Sequence, residues 1–127
     1  MLRKGLILVG LTISAACSGE PNSSSEGPGF SDQAIRSIAS DLAVQKGMNL
    51  LCDRVSEDKL GSFMEDLRYE GIDRDIRESI MSDSVEMMNK ITAEEPEYIC
   101  TPEMFESADL RVSQALLTWD EMRGITQ

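Results

Sequence analysis

Beyond residue 30, apolar side chains recur every three or four positions, and no stretch alternates apolar and polar residues long enough to argue for a strand. The pattern predicts an all-α domain. Ser31 is placed to cap a first helix whose apolar positions are Ile35, Ile38, Ala39 and Leu42, continuing through Val44, Met48, Leu51, Cys52 and Val55. That stripe drifts around the helix axis, which predicts either contacts on two sides or a break near Gly47. Ser56 opens a second segment, with Leu60, Phe63, Met64 and Leu67 at i, i+3, i+4 and i+7 before Gly71 stops it. Asp73 is placed to cap a third helix carrying Ile76, Ile80, Val85, Met88 and Ile91, which must end ahead of Pro96. Thr101-Pro102-Glu103 then combines a hydroxyl cap, a proline at the first helical position and an acid at the positive end of the helix dipole. Phe105, Ala108, Val112, Leu116, Trp119 and Met122 line one face of this last helix before Gly124, and Trp119, the sole Trp, is expected to anchor the core. Helices of this length need one another, so residues 31–127 are expected to form a compact bundle of four to five helices.

The first thirty residues follow another logic. Met1-Leu2-Arg3-Lys4 places two positive charges before an apolar run from Gly5 to Ile13, and Ser14-Ala15-Ala16 leads into Cys17. This is the layout of a bacterial export signal. The apolar run is about nine residues, against the roughly 20 that a helix needs to cross a bilayer. Small residues ahead of Cys17 and the polar Ser18-Gly19-Glu20-Pro21 behind it resemble the bacterial lipoproteins. The resemblance implies a signal peptide over 1–16, fatty acid including palmitate on the Cys17 thiol, and a flexible Ser-, Gly- and Pro-rich tether over 17–30. Ser18 in place of Asp is similar to the outer-membrane sorting pattern and implies a lipid-anchored protein of the outer membrane facing the periplasm. Ordinary cleavage after Ala16, with simple secretion, is the alternative.

Composition narrows the chemistry. The chain has 127 residues, enough for one domain, and 12 Lys plus Arg against 23 Asp plus Glu give a net charge of −11. Without Arg3 and Lys4 the mature charge is 10 − 23 = −13. Such a surface repels phosphate backbones, so no nucleic-acid partner is expected. The absence of His removes Ser/His/Asp and Cys/His catalysis and every His-containing metal site. Acidic groups at Asp53, Glu57 and Asp58, at Glu65 to Glu78, and at Glu94, Glu95 and Glu97 lack EF-hand spacing and read as solvated faces. No metal, cofactor or enzymatic activity is expected.

With Cys17 assigned to lipid, Cys52 and Cys100 remain as an even pair in an oxidising compartment, which predicts one disulfide. Closing a loop of about 49 residues is worth roughly 4 kcal/mol by chain entropy. Met87 and Met88 are adjacent helical positions that cannot both point into one core, so one of them needs another neighbour. They are the candidate partner-binding residues, since flexible thioether side chains adapt to a partner helix.

Leu50-Leu51-Cys52 at a helix end, two middle helices, and Tyr98-Ile99-Cys100 shortly before Phe105, behind an acylated Cys and a tether, resemble the helical type II secretion pilotins. That resemblance implies a chaperone-like lipoprotein whose groove holds the C-terminal segment of an outer-membrane secretin. The Cys52 to Cys100 spacing and the ending Trp119-Asp120-Glu121 are also similar to the HdeA-type periplasmic acid-stress chaperones, which would imply a holdase.

Overall fold

The structure is a computed structural model that describes residues 29–125. It contains five helices, α1 (Asp32–Leu51), α2 (Lys59–Tyr69), α3 (Arg74–Thr92), α4 (Pro96–Ile99) and α5 (Pro102–Met122), and no strand among the described residues. The fold is an all-α bundle closed by one disulfide, Cys52–Cys100, whose Cα atoms lie 5.6 Å apart.

Local chemistry sets the helix ends. The Ser31 side chain accepts the Ala34 N–H at 3.3 Å, and the Thr101 side chain accepts the Met104 N–H at 3.2 Å. The second helix starts later than Ser56. Asp58 caps it by accepting the Gly61 N–H at 2.9 Å, while Ser56 Oγ instead accepts from Asn49 Nδ2 at 2.6 Å. The Gly61 N–H first, and then Lys46, hold the Asp58 carboxyl below its ordinary value. Gly71 ends α2 at φ 85°, a conformation that only Gly adopts without strain. Asp73 occupies the cap position of α3 with no side-chain hydrogen bond to the helix.

α1 is unbroken at Gly47, and the reason lies in α3. A Cβ added there would sit 2.9 Å from Ile91 Cβ and 3.3 Å from Met88 Cα. Gly47 costs about 1 kcal/mol of helix propensity and permits a close approach of the two backbones. Arg36 pairs with Asp83 while Gly47 meets Ile91, so α1 and α3 run parallel. Gln45 bonds Asp109 while Cys52 joins Cys100, so α5 runs antiparallel to α1.

Three apolar expectations are corrected. α1 stops at Leu51, and Asp53 takes a positive φ of 57°, so Val55 leaves the helix and stands 101% exposed. Val85 is exposed and Ser84 takes the buried position, because Ile80, Ser84 and Met88 hold the i, i+4, i+8 line and Val85 lies about 100° off it. Phe30, placed at the end of the tether, belongs to the core, with its ring 5.2 Å from that of Trp119. Trp119 itself is buried between Phe30 and Phe63, the latter 5.0 Å away edge-on. No helix among the described residues is long and apolar enough to cross a membrane.

Candidate functional site

α1 is the hub of the bundle, packed against α3, α5 and α2, whereas α3 and α5 make no extensive contact with one another. One face of α1 is therefore left uncovered between them. Gln33, Ser37, Ser40 and Val44, at i, i+4, i+7 and i+11, form that face. Gln33 and Ser37 are exposed, and Ser40 and Val44 are half-buried. On the α3 side a cleft of about 210 Å³ is lined by Arg36, Ala39, Ser40, Ile80, Asp83, Ser84 and Met87. On the α5 side an open depression of about 570 Å³ is bordered by Ser37, Asp41, Leu110, Arg111, Gln114 and Thr118 among others. The two hollows flank the uncovered face of α1, one against α3 and the other against α5.

That face owes its shape to small side chains. Ala34, Ser37, Ala39 and Ser40 leave little bulk above the α1 backbone, so an added helix would approach closely. Two arginines frame it, through three ion pairs. Arg36 bonds Asp32 at 2.9 Å, Ser79 at 3.0 Å and Asp83 at 3.3 Å, which fastens the α3 wall. On the α5 side Arg111 stands 3.9 Å from Asp41, whose carboxyl is pushed up by burial against the pull of that arginine.

Met87 and Met88 part company here. Both are half-buried and pack against the core. Met87 lines the cleft beside Ser40, whereas the backbone of Met88 lies at the Gly47 crossing. Of the two, Met87 is thus the one placed beside the uncovered face of α1. Cys17 lies outside the described residues. Among those residues, no group of three or more acids is arranged to hold a metal ion. Glu70, spaced for Arg74, pairs instead with Arg123 at 2.8 Å, and Arg74 pairs with Glu78 at 2.9 Å. Ser37, Ser40 and Gln114 carry no apolar signal; small polar residues at helical spacing along an otherwise buried helix are their only trace in the sequence.

Opposite the uncovered face of α1, α2 is latched to α5. Trp119 Nε1 donates to Asp66 at 3.1 Å, and Arg123 reaches Asp66 at 3.1 Å and Glu70 at 2.8 Å. Glu70 foremost, with Asp66 and Asp120, raises the Arg123 guanidinium further above its ordinary value. No protein-family model, curated protein or solved structure matches this chain.

Proposed function

We propose that the chain is a membrane-tethered binding module of the bacterial envelope, which lays a helical segment of a partner protein into the groove between α3 and α5. The uncovered face of α1, small-floored and walled by Met87, carries this reading. A helix placed there would give α1 a neighbour on its fourth side and bring the bundle closer to a regular four-helix packing. The lipoprotein and pilotin resemblances supply the setting: anchorage through Cys17 and, as partner, the C-terminal segment of an outer-membrane secretin. A photoreactive residue at Ser37 or Met87 is expected to cross-link one envelope protein through such a segment, and the same residue at Glu86 on the outer face of α3 is not. Equal labelling from all three positions would end the proposal. Separately, Cys17→Ser is expected to abolish palmitate incorporation and release the protein from the membrane fraction.

A second reading, an acid-triggered holdase, is favoured by the α2–α5 latch. Its acceptors are carboxylates, which lose charge in acid, and the apolar rings of Phe63 and Trp119 lie behind it. It predicts dye-binding apolar surface and client protection only at low pH, with the α1–α3 pair still helical.

A further inference from the structure

The cleft against α3 holds a polar group that the protein itself does not satisfy. Ser84 lies on the buried line of α3 between Ile80 and Met88, at a position suited to Leu or Ile. It is only 3% exposed, and among the described residues its hydroxyl has no hydrogen-bond partner. The side chains that α1 brings to the same place, Ala39 and Ser40, are small as well. Three short side chains thus line one stretch of the α1–α3 contact, and the cleft of about 210 Å³ is the space they leave. Ser40, half-buried, joins it to the uncovered face of α1.

Size and lining select an aromatic ring. An apolar cavity of roughly 150 Å³ holds benzene, so this space admits one substituted ring and little more. Ile80 and Ala39 give it apolar surface. Its other large side chains are Met87 and Arg36, and a thioether and a guanidinium both attract an aromatic ring more than an aliphatic group of the same size. Arg36 is held by Asp32 at 2.9 Å, Ser79 at 3.0 Å and Asp83 at 3.3 Å. Its charge is therefore already met, and the cleft does not call for an anion.

The Ser84 hydroxyl then asks for one neutral donor or acceptor on that ring. A phenol supplies both in a single atom. A bare phenyl ring would strip water from the hydroxyl and give no hydrogen bond in return. We propose that this cleft is a phenol-binding pocket that takes the side chain of a tyrosine, its hydroxyl paired with Ser84 and its ring against Met87 and Arg36. The proposal rests on the groove reading for the source of that tyrosine, a partner helix laid along α1.

The probes are p-cresol and toluene, which are the side chains of Tyr and Phe, titrated into oxidised protein with ¹³C-labelled Met and Ile methyl groups. p-Cresol is expected to give saturable ring-current shifts at the Met87 and Ile80 methyls and none at Met104, at the start of α5. Ser84→Ala, which removes a single oxygen, should weaken p-cresol about fivefold and leave toluene bound at least as tightly as before. 4-Methylcyclohexanol, with its hydroxyl on an aliphatic ring, should bind about threefold more weakly than p-cresol. Ser84→Leu fills the space and should abolish all three. The segment cross-linked from Ser37 should carry a tyrosine. Methyl shifts read the cleft and cross-linking reads the groove, so either can fail without the other. Equal weakening of p-cresol and toluene by Ser84→Ala, methylcyclohexanol bound as tightly as p-cresol, no saturable shift at Met87, or a cross-linked segment without tyrosine would overturn the proposal and leave the Ser84 hydroxyl to water.

Discussion

The two flanks of α1 are built by different means. Against α3 the contact is close packing, with Gly47 bare of side chain and Ile91 filling the space, and Arg36 the polar tie across it. Against α5 the seam holds the disulfide, the Gln45–Asp109 hydrogen bond at 2.9 Å, the Arg54–Asp109 pair at 3.2 Å and the longer Asp41–Arg111 pair. α5 is held on its other side by the carboxylates of α2. The packed flank depends chiefly on shape. The tied flank depends on oxidation and charge.

Substitutions sharpen this contrast. The largest effect is expected from Trp119→Ala, which empties the space where Phe30, Phe63 and α5 converge and should cost about 3–5 kcal/mol in urea unfolding. Replacing Cys52 and Cys100 together by Ala should cost about 2–5 kcal/mol. Hydrogen exchange should then rise in α5 far more than in the α1–α3 pair, and an equal rise in both would show that the disulfide supports the two flanks alike. Gly47→Ala should cost about 1–3 kcal/mol despite its better helix propensity, because the new methyl meets Ile91 and the Met88 backbone. A stabilised variant would show that the close approach is dispensable.

Smaller effects come from the carboxyl groups, and their signs differ. Asp58 has a lowered folded pKa, so it adds stability above its unfolded value, and that stability is lost as pH falls through the folded value. Asp58→Ala should cost about 1 kcal/mol at pH near 7 and much less below the ordinary Asp range near 3.9, as read by urea midpoints at both pH values. Asp41 has a raised folded pKa, so its contribution falls as pH rises from the unfolded value through the folded one. Asp41→Asn should change neutral-pH stability by no more than about 0.5 kcal/mol, while flattening that part of the pH profile. A steeper profile in this variant would reverse the sign assigned to the α5 seam.

The elements were legible where chemistry is local. Ser31, the Thr101-Pro102 start, Gly71 and Gly124 mark ends that the structure keeps, and the pairing of two cysteines followed from counting. What escaped was set by tertiary contact. Gly47 looks like a helix breaker until α3 is placed against it, and Phe30 looks like tether until Trp119 is seen beneath it. Val55 fitted the apolar stripe of α1, yet the chain turns away at Asp53. The groove was legible only through Met87, because a helix face made of Ser37 and Ser40 carries no hydrophobic signal and becomes a floor only when neighbours stand on both sides.

The single indole sits where the segment before α1, the middle of α2 and the end of α5 converge, with the carboxylate of Asp66 on its nitrogen and the guanidinium of Arg123 5.5 Å from its ring. Its emission is therefore a built-in optical gauge of whether α2 and α5 are closed on each other. Opening of that seam, by acid or by reductant, becomes visible in real time without attaching a dye.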